Sequence, residues 1–311
     1  MRGVVRLALA IIALAVVGGV AWWVGRSGPG GADAPAGLTT ARLSAVSNAS
    51  GLALLERDGQ LLVATVDEVD EWHGGPERPP LITYSNLDGD AVGGEGSVAI
   101  YGEVEALAVR DGVLAFPYKT DAQRVVLKWG QREMVVIDRP EIARLDAAAA
   151  EVARGPFFHE FEGLEWFEGG WQLLDAVVSP TARDTPASTR CVFRLWLDES
   201  GRLQRISPAL RRAGGGLATD YTAALAVLPG DVALVPGFRI PGVRTYAPDG
   251  RVLADLPLAV QRVEGVAFHA PTERLFMVRE CVGEGMTCAE GVHFGVPLWT
   301  AKVSLRTLVG L

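Results

Sequence analysis

Residues 264–280 read Glu-Gly-Val-Ala-Phe-His-Ala-Pro-Thr-Glu-Arg-Leu-Phe-Met-Val-Arg-Glu, the pattern of two short apolar strands joined by a turn at residues 270–273. The same frame occurs four times earlier in the chain, each time followed by a turn and another apolar run. The earlier copies are Ser50-Gly-Leu-Ala-Leu, Glu105-Ala-Leu-Ala-Val, Glu162-Gly-Leu-Glu-Trp and Ala223-Ala-Leu-Ala-Val. Hairpin repeats spaced by roughly 40–60 residues are typical of β-propellers.

The repeats predict an all-β fold, a β-propeller of five or six four-stranded blades. Five repeats are visible, and residues 104–137 alone contain the four short apolar runs that one blade requires. A sixth blade would have to come from the divergent stretches 84–100 or 176–220, or from pairing of the first and last strands to close the ring.

One helix is predicted between the second and third repeats, at residues 139–154. Its apolar residues recur at helical spacing, Asp138 can cap its start, Pro140 lies in its first turn, and Gly155 can stop it. The apolar positions are Ile142, Leu145, Ala149 and Val152. We expect the helix to cover a sheet edge or a connection between blades, and a role in binding a partner is the less favoured alternative.

The first 26 residues have the composition of a transmembrane anchor. Arg2 and Arg6 precede an uncharged run over residues 7–24, which is just long enough to span a bilayer, and Trp22-Trp23 ends it. This charge order places the N-terminus in the cytoplasm and the remainder outside, so the prediction is a single-pass protein of the cell membrane with an extracytoplasmic C-terminal domain. A signal peptide cleaved near Ala32-Asp-Ala34 is the competing interpretation.

Residues 27–40 are rich in Gly and Pro, which predicts a flexible linker. The propeller domain then covers residues 41–311.

The net charge of −8 argues against a nucleic-acid partner, which requires a basic face. The sequence also lacks a Gly-x-Ser-x-Gly elbow, a phosphate-binding glycine loop followed by lysine, and a His-Glu-x-x-His motif.

Three cysteines are present. Cys281 and Cys288 flank a glycine-containing loop, and in an exported protein we expect them to form a disulfide. Cys191 lies in an apolar run and is predicted to be a buried, inert thiol. None of the spacings is that of a zinc site.

The residue that opens each repeat is the candidate metal ligand. It is glutamate in three of the five copies, at Glu105, Glu162 and Glu264. In a closed ring these side chains would converge on one mouth of the central channel, where like charges repel unless a cation or a basic side chain lies among them. Clustered carboxylates suit Ca²⁺ or Mg²⁺. The alternative is that Lys119, Arg239, Arg279 or a backbone amide pairs with each glutamate.

Two histidines and one acidic loop also contain groups that can bind metal ions. His159 and His269 lie near the same strand ends but have no ligand-spaced partner, so we expect ordinary half-buried histidines. Asn86-Leu-Asp-Gly-Asp90 alternates oxygen side chains as a calcium loop does, but it lacks the rest of that motif and is predicted to be a turn.

The repeat motifs resemble those of two groups of propellers. Glu162-Gly-Leu-Glu-Trp166 is similar to the Glu-Gly-Pro-x-Trp opening of the senescence-marker/gluconolactonase-like propellers, whose glutamate is a metal ligand. Residues 264–268 and 274–280 resemble the repeats of phytase-like and SdiA-regulated-like exported propellers. The resemblance implies a propeller fold and makes Glu162 the first metal-ligand candidate, with Glu264 and Glu105 behind it.

Two functions therefore remain open at this stage. The first is a membrane-anchored, extracytoplasmic binding or scaffold module that holds a protein or a small molecule at the channel mouth. The second is a divalent-metal-dependent hydrolase of phosphoesters or lactones. A complete shell of oxygen ligands would favour the second, and a lysine or arginine that neutralises the glutamates would favour the first.

Overall fold

The computed structural model describes most of the chain after residue 37. Its ranges are residues 38–46, 49–67, 80–97, 104, 106–120, 124–179, 189–220, 222–237, 241–258, 260, 262–279 and 296–311. The predicted anchor, Cys281, Cys288 and Glu105 lie outside these residues. Within the described ranges, no helix is long and apolar enough to cross a bilayer.

The described residues form five antiparallel four-stranded sheets, so the β-propeller prediction is confirmed and the number of blades is five. Blade 1 contains β2 (Ala49–Arg57), β3 (Gln60–Asp67), β4 (Leu81–Ser85) and β5 (Ala91–Ser97). Blade 2 contains β6 (Ala108–Arg110), β7 (Val113–Lys119), β8 (Val125–Trp129) and β9 (Arg132–Ile137). Blade 3 contains β10 (Phe158–Phe167), β11 (Gly170–Val178), β12 (Thr189–Asp198) and β13 (Leu203–Ile206). Blade 4 contains β14 (Ala226–Leu228), β15 (Val232–Pro236), β16 (Val243–Tyr246) and β17 (Val252–Leu256).

Blade 5 closes the ring with strands from both ends of the described chain. It contains β18 (Val263–His269), β19 (Arg274–Arg279), β20 (Val296–Lys302) and, as its outermost strand, β1 (Leu38–Leu43). β1 pairs with β20 in a continuous register from Leu38↔Ala301 to Leu43↔Val296. Pairing of the first and last strands was predicted as one source of a sixth blade, and it instead completes the fifth. The stretches 84–100 and 176–220 instead contribute to blades 1 and 3.

The innermost strand of each blade contacts that of the next, in the order β2, β6, β10, β14, β18 and back to β2. Antiparallel hairpins then lead outward from each inner strand, so the inner strands all begin at one face of the ring. We call this the entry face. Of the predicted glutamates that the structure describes, Glu264 is the second residue of β18 and Glu162 is the fifth residue of β10, so both lie in the half of the inner strand nearer this face.

The inserted helix is confirmed as α1 (Arg139–Val152). Asp138 is its N-cap, and a reciprocal capping box joins the Asp138 side chain to the first turn and the Glu141 side chain to the Asp138 backbone. Leu145 and Ala149 are buried in the apolar cluster shared by blades 2 and 3, with Ile142 and Val152 packed against it. The helix therefore covers the junction between two blades. A second, one-turn helix, α2 (Leu305–Leu308), follows β20.

Candidate functional site

Small residues close the axis of the ring. A cavity of about 10 Å³ remains where the five inner strands meet, which is room for about one water molecule. Its lining consists of Gly51, Leu52, Ala106, Leu107, Gly163, Leu164, Ala223, Ala224, Leu225, Glu264, Gly265 and Val266. The predicted frame of a small residue followed by an apolar one is therefore the lining of the axis.

Gly163 shows how tightly neighbouring inner strands pack. Its φ angle is +69°, and a Cβ built on it would lie 2.6 Å from the backbone nitrogen of Leu225 in blade 4. The β10–β11 register shifts between Glu162 and Leu164, so the glycine forms a bulge in the middle of the strand, directly after Glu162.

Glu162, the first metal-ligand candidate, lies beside a lysine. Only 1% of its side chain is exposed, and its Oε1 lies 3.9 Å from the Nζ of Lys119 at the end of β7 in blade 2. A buried carboxylate needs a positive charge or hydrogen bonds to offset the loss of water. Lys119, one of the basic residues considered for this role from the sequence, supplies a positive charge here.

Of the other two predicted glutamates, the structure describes Glu264 but not Glu105. Glu264 is buried and lines the axial cavity next to Gly265. Glu105 lies outside the described residues, but Ser50, which opens the first repeat, donates a hydrogen bond from Oγ to the carbonyl oxygen of Val104, 2.9 Å away. Among the described residues, no three His, Cys, Asp or Glu side chains are grouped so that they could hold a metal ion. The described part of the site does not fit a divalent cation.

His159 is the clearest departure from the sequence analysis, because it is buried rather than half-buried. Its Nδ1 lies 2.9 Å from Oδ2 of Asp175 on β11, and its Nε2 lies 3.2 Å from Oδ1 of Asp146 on α1. Asp175 is completely buried. The three side chains thus join the inserted helix to blade 3, and they form a structural clamp rather than a ligand set.

The clamp makes stability depend on pH. Burial by itself lowers the pKa of His159, but the hydrogen bonds and charges of Asp175 and Asp146 outweigh burial and raise that pKa above its ordinary value. A histidine whose pKa is higher in the folded than in the unfolded state stabilises the fold at pH values below its unfolded pKa. This contribution is lost as the pH rises through the folded pKa.

We therefore expect the free energy of unfolding to fall as the pH rises above the ordinary histidine pKa of about 6.5, with a smaller fall in His159→Gln. Denaturant unfolding at several pH values measures both slopes. Equal slopes in wild type and His159→Gln would show that the clamp does not carry the pH dependence.

A second buried polar cluster, which the sequence analysis missed, joins blades 3 and 4. The side chain of Arg194 on β12 is 1% exposed, and it donates to the backbone carbonyl and the carboxylate of Asp231 and to the side-chain oxygen of Gln172. Asp231 lies in the β14–β15 turn with φ at +60°. Burial lowers the pKa of Arg194 to about 10, although the Asp231 charge acts in the opposite direction. We call this cluster the Arg194 network.

Two smaller predictions are confirmed. Cys191 is a buried free thiol, and burial followed by the charge of Asp175 raises its pKa to about 12, so it is unreactive. Residues 86–90 form a turn in which Oδ1 of Asn86 accepts hydrogen bonds from the backbone N–H groups of Asp88 and Asp90.

Solved structures with a similar fold include propellers of the predicted kind. A gluconolactonase from Xanthomonas campestris is 16% identical, with 88% of this chain and 96% of that chain covered and a TM-score of 0.45. A regucalcin, described as a calcium-binding protein, from Agrobacterium tumefaciens is 12% identical, with 87% and 97% covered and a TM-score of 0.45. A GH43_1 enzyme from Xanthomonas citri is 13% identical, with 85% and 90% covered and a TM-score of 0.49.

No protein-family model matches the sequence, and no curated protein matches it either. At these identities the similarity concerns the fold alone. The five four-stranded sheets make the chain a five-bladed β-propeller, and a propeller is the fold that the resemblance to senescence-marker/gluconolactonase-like propellers implied. Its activity has to be argued from its own residues.

Proposed function

We propose that this protein is a binding module, held at the outer face of a cytoplasmic membrane by residues 1–26, with a protein or small-molecule ligand at the entry face of the propeller. The observation that carries the choice between binding and hydrolysis is the ion pair of Lys119 and Glu162, 3.9 Å apart. A lysine ammonium beside the first candidate ligand repels a divalent cation and removes the electrostatic reason for one to bind.

The competing function is a Ca²⁺- or Mg²⁺-dependent hydrolase of phosphoesters or lactones. Ca²⁺ takes six to eight oxygen ligands, and Mg²⁺ demands a near-octahedral set. Glu162 and Glu264 together provide two carboxylates, and a metal site would need further oxygen ligands from outside the described residues.

For the binding module, the net charge of −8 supports a ligand other than nucleic acid.

The ion pair can be tested with a double-mutant cycle on the full-length protein. We expect Lys119→Met to destabilise the fold more in the wild-type background than in Glu162→Gln, because Lys119→Met alone leaves the buried carboxylate without its lysine. The expected coupling is about 1–3 kcal/mol in the free energy of unfolding. Additive effects of the two substitutions would remove the argument for a neutralised carboxylate.

Thermal unfolding of the same proteins with excess Ca²⁺, excess Mg²⁺ or a chelator distinguishes the two functions. A binding module should show the same midpoint in all three conditions, to within about 1 °C. A bound ion at a hundredfold its dissociation constant adds about 2.7 kcal/mol, which raises the midpoint by roughly 5–10 °C. Such a rise in wild type, lost in Glu162→Gln, would replace the binding module with the metal-dependent hydrolase.

The membrane part of the proposal rests on the composition of residues 1–26 and is tested separately. The full-length chain should remain with the lipid when membranes are washed at alkaline pH. A chain without these residues should be released. Recovery of the intact full-length chain in the soluble fraction would contradict the anchor.

A further inference from the structure

A cavity of about 260 Å³ lies between blades 3 and 4. Its walls come from β12, β15, β16 and β17 and from the connection between the two blades at residues 207–225. It shares no lining residue with the axial cavity. We call it the interblade cavity.

The connection that walls the interblade cavity is held in place by backbone hydrogen bonds. The N–H of Leu210 donates to the carbonyl of Val192 at 2.9 Å, and the N–H of Ala218 donates to the carbonyl of Leu210 at 2.8 Å. The N–H of Arg211 donates to the carbonyl of Gly250 at 3.0 Å. Because these bonds fix the connection to both blades, the cavity is preformed, as ligand sites usually are.

Most of the wall is apolar. Val192, Leu210, Val235 and Tyr246 are all buried and belong to the apolar cluster shared by blades 3 and 4, with Ala218 packed against it. An apolar cavity of about 150 Å³ is large enough for benzene, so one of 260 Å³ has room for a single ring or a branched chain and a few linking atoms.

An accessible carboxylate lines the cavity on the side of blade 4. The side chain of Asp255 on β17 is 50% exposed, and its Oδ2 lies 3.3 Å from Nε of Arg244. The same arginine also pairs with Asp220, whose Oδ2 lies 3.8 Å from Nη1. Asp255 therefore shares its cation with a second carboxylate, and it can accept a charge-assisted hydrogen bond from a positively charged group of a ligand.

Arg212 is an exposed cation that lines the same cavity from the connection. In the part of the chain that the structure describes, no carboxylate pairs with its guanidinium. Its backbone is held in a tight turn, since its N–H donates to the carbonyl of Gly216 at 2.8 Å. A Cβ on Gly216 would lie 2.8 Å from Nε of Arg212, so the guanidinium lies against this turn. The arginine is thus positioned at the cavity with its charge available to an anionic group.

Two opposite charges beside an apolar wall favour a ligand that carries both charges. A ligand with a carboxylate alone would bring it close to Asp255 as well as to Arg212, because both residues line one cavity of about 260 Å³. A ligand with an ammonium group alone would meet Arg212 in the same way. Like charges at short range repel, whereas a zwitterion pairs each of its charges with an opposite one.

We propose that the interblade cavity binds a free α-amino acid with an apolar side chain. The carboxylate of the ligand pairs with Arg212, whose guanidinium can donate two parallel hydrogen bonds to it. The ammonium group pairs with Asp255, and the side chain packs against the apolar wall. The site is separate from the entry-face site on the axis, so the two proposals stand or fall independently.

The test compares three probes that share one ring, with the full-length protein in ligand-observed NMR titrations. They are L-phenylalanine, 3-phenylpropionate, which lacks the ammonium group, and 2-phenylethylamine, which lacks the carboxylate. We expect saturable binding of L-phenylalanine at one site. Each of the other two probes should bind about tenfold to a hundredfold more weakly, because each loses one charge-assisted hydrogen-bonded contact and retains one like-charge contact.

Two substitutions assign the charges. Arg212→Gln should weaken L-phenylalanine by about tenfold or more without weakening 2-phenylethylamine, and Asp255→Asn should do the same without weakening 3-phenylpropionate. Arg251→Gln and Asp249→Asn are the matched controls. They make the same changes of charge in an exposed pair of the β16–β17 turn that does not line the cavity, so they should keep the wild-type affinities. Circular dichroism reports that each variant keeps the fold.

Three results would overturn the proposal, and the first two need no variant. One is the absence of saturable binding of L-phenylalanine to the wild-type protein. Another is binding of 3-phenylpropionate or 2-phenylethylamine as tight as that of the amino acid, which would show that the cavity does not recognise both charges. The third is an equal loss of affinity in Arg212→Gln and Arg251→Gln, which would trace the effect to the overall charge of the protein.

Discussion

Gly163→Ala is expected to destabilise the protein by about 2–5 kcal/mol and to lower its thermal midpoint by roughly 5–15 °C. Two costs add at this position. A residue with a Cβ is disfavoured at φ +69°, by about 1–2 kcal/mol. The new Cβ would also lie 2.6 Å from the backbone of Leu225, and backbone in the neighbouring blade cannot move aside as a side chain does.

Gly169→Ala is the matched control, because it makes the same substitution in the turn of the same β10–β11 hairpin. Gly169 also has a positive φ, at +86°, but a Cβ there would meet no atom within 4 Å. The expected loss is therefore about 1 kcal/mol, from backbone conformation alone. Chemical denaturation of both variants measures the difference, and equal losses would show that the inner strands do not pack as closely as the structure indicates.

Asp231→Asn is the second substitution with a large expected effect, a loss of about 2–4 kcal/mol in the free energy of unfolding. Asparagine tolerates the positive φ of this turn and keeps one carbonyl oxygen, so the backbone and part of the hydrogen bonding survive. What disappears is the charge opposite Arg194, whose guanidinium is 1% exposed and cannot reach water. An uncompensated buried charge is the source of the cost.

Asp249→Asn provides the control for this substitution. Asp249 lies in the β16–β17 turn, where its side chain is 64% exposed and pairs with the equally exposed Arg251 at 3.8 Å. Exposed pairs contribute about 0–1 kcal/mol, so we expect little change in stability. If the two variants were equally stable in denaturant titrations, the Arg194 network would not be the buried link between blades that its geometry implies.

The repeat frame made the fold predictable, because the same short pattern marks each inner strand and the small residue at the axis. The number of blades could not be derived in the same way. Residues 38–40 fall in the predicted linker, but they begin β1, whose role depends on pairing with residues 296–301 at the other end of the chain. A pairing over that distance leaves no local pattern in the sequence.

The candidate sites were predictable only in part, because contacts between distant segments of the chain decide which side chains are buried. The repeat frame marked Glu162, and Lys119 was one of several basic residues predicted as possible partners of the glutamates; which of them lies beside Glu162 could not be derived from the frame. His159 is buried because α1 brings Asp146 over it, and the sequence does not show where that helix packs. Arg194 appears in an alternating strand pattern as an ordinary polar residue, and its burial depends on a turn in the next blade.

The closure of blade 5 also has a consequence for how the protein is made. β1 is the first described strand to leave the ribosome, and its partner β20 follows about 260 residues later. At roughly 5–20 residues per second, β1 has no partner strand for about 13–50 seconds. During that time its edge is open to other chains, which is a known route to aggregation. Translation speed and chaperone supply should therefore influence the yield of this protein more than that of a propeller whose blades are each continuous in sequence.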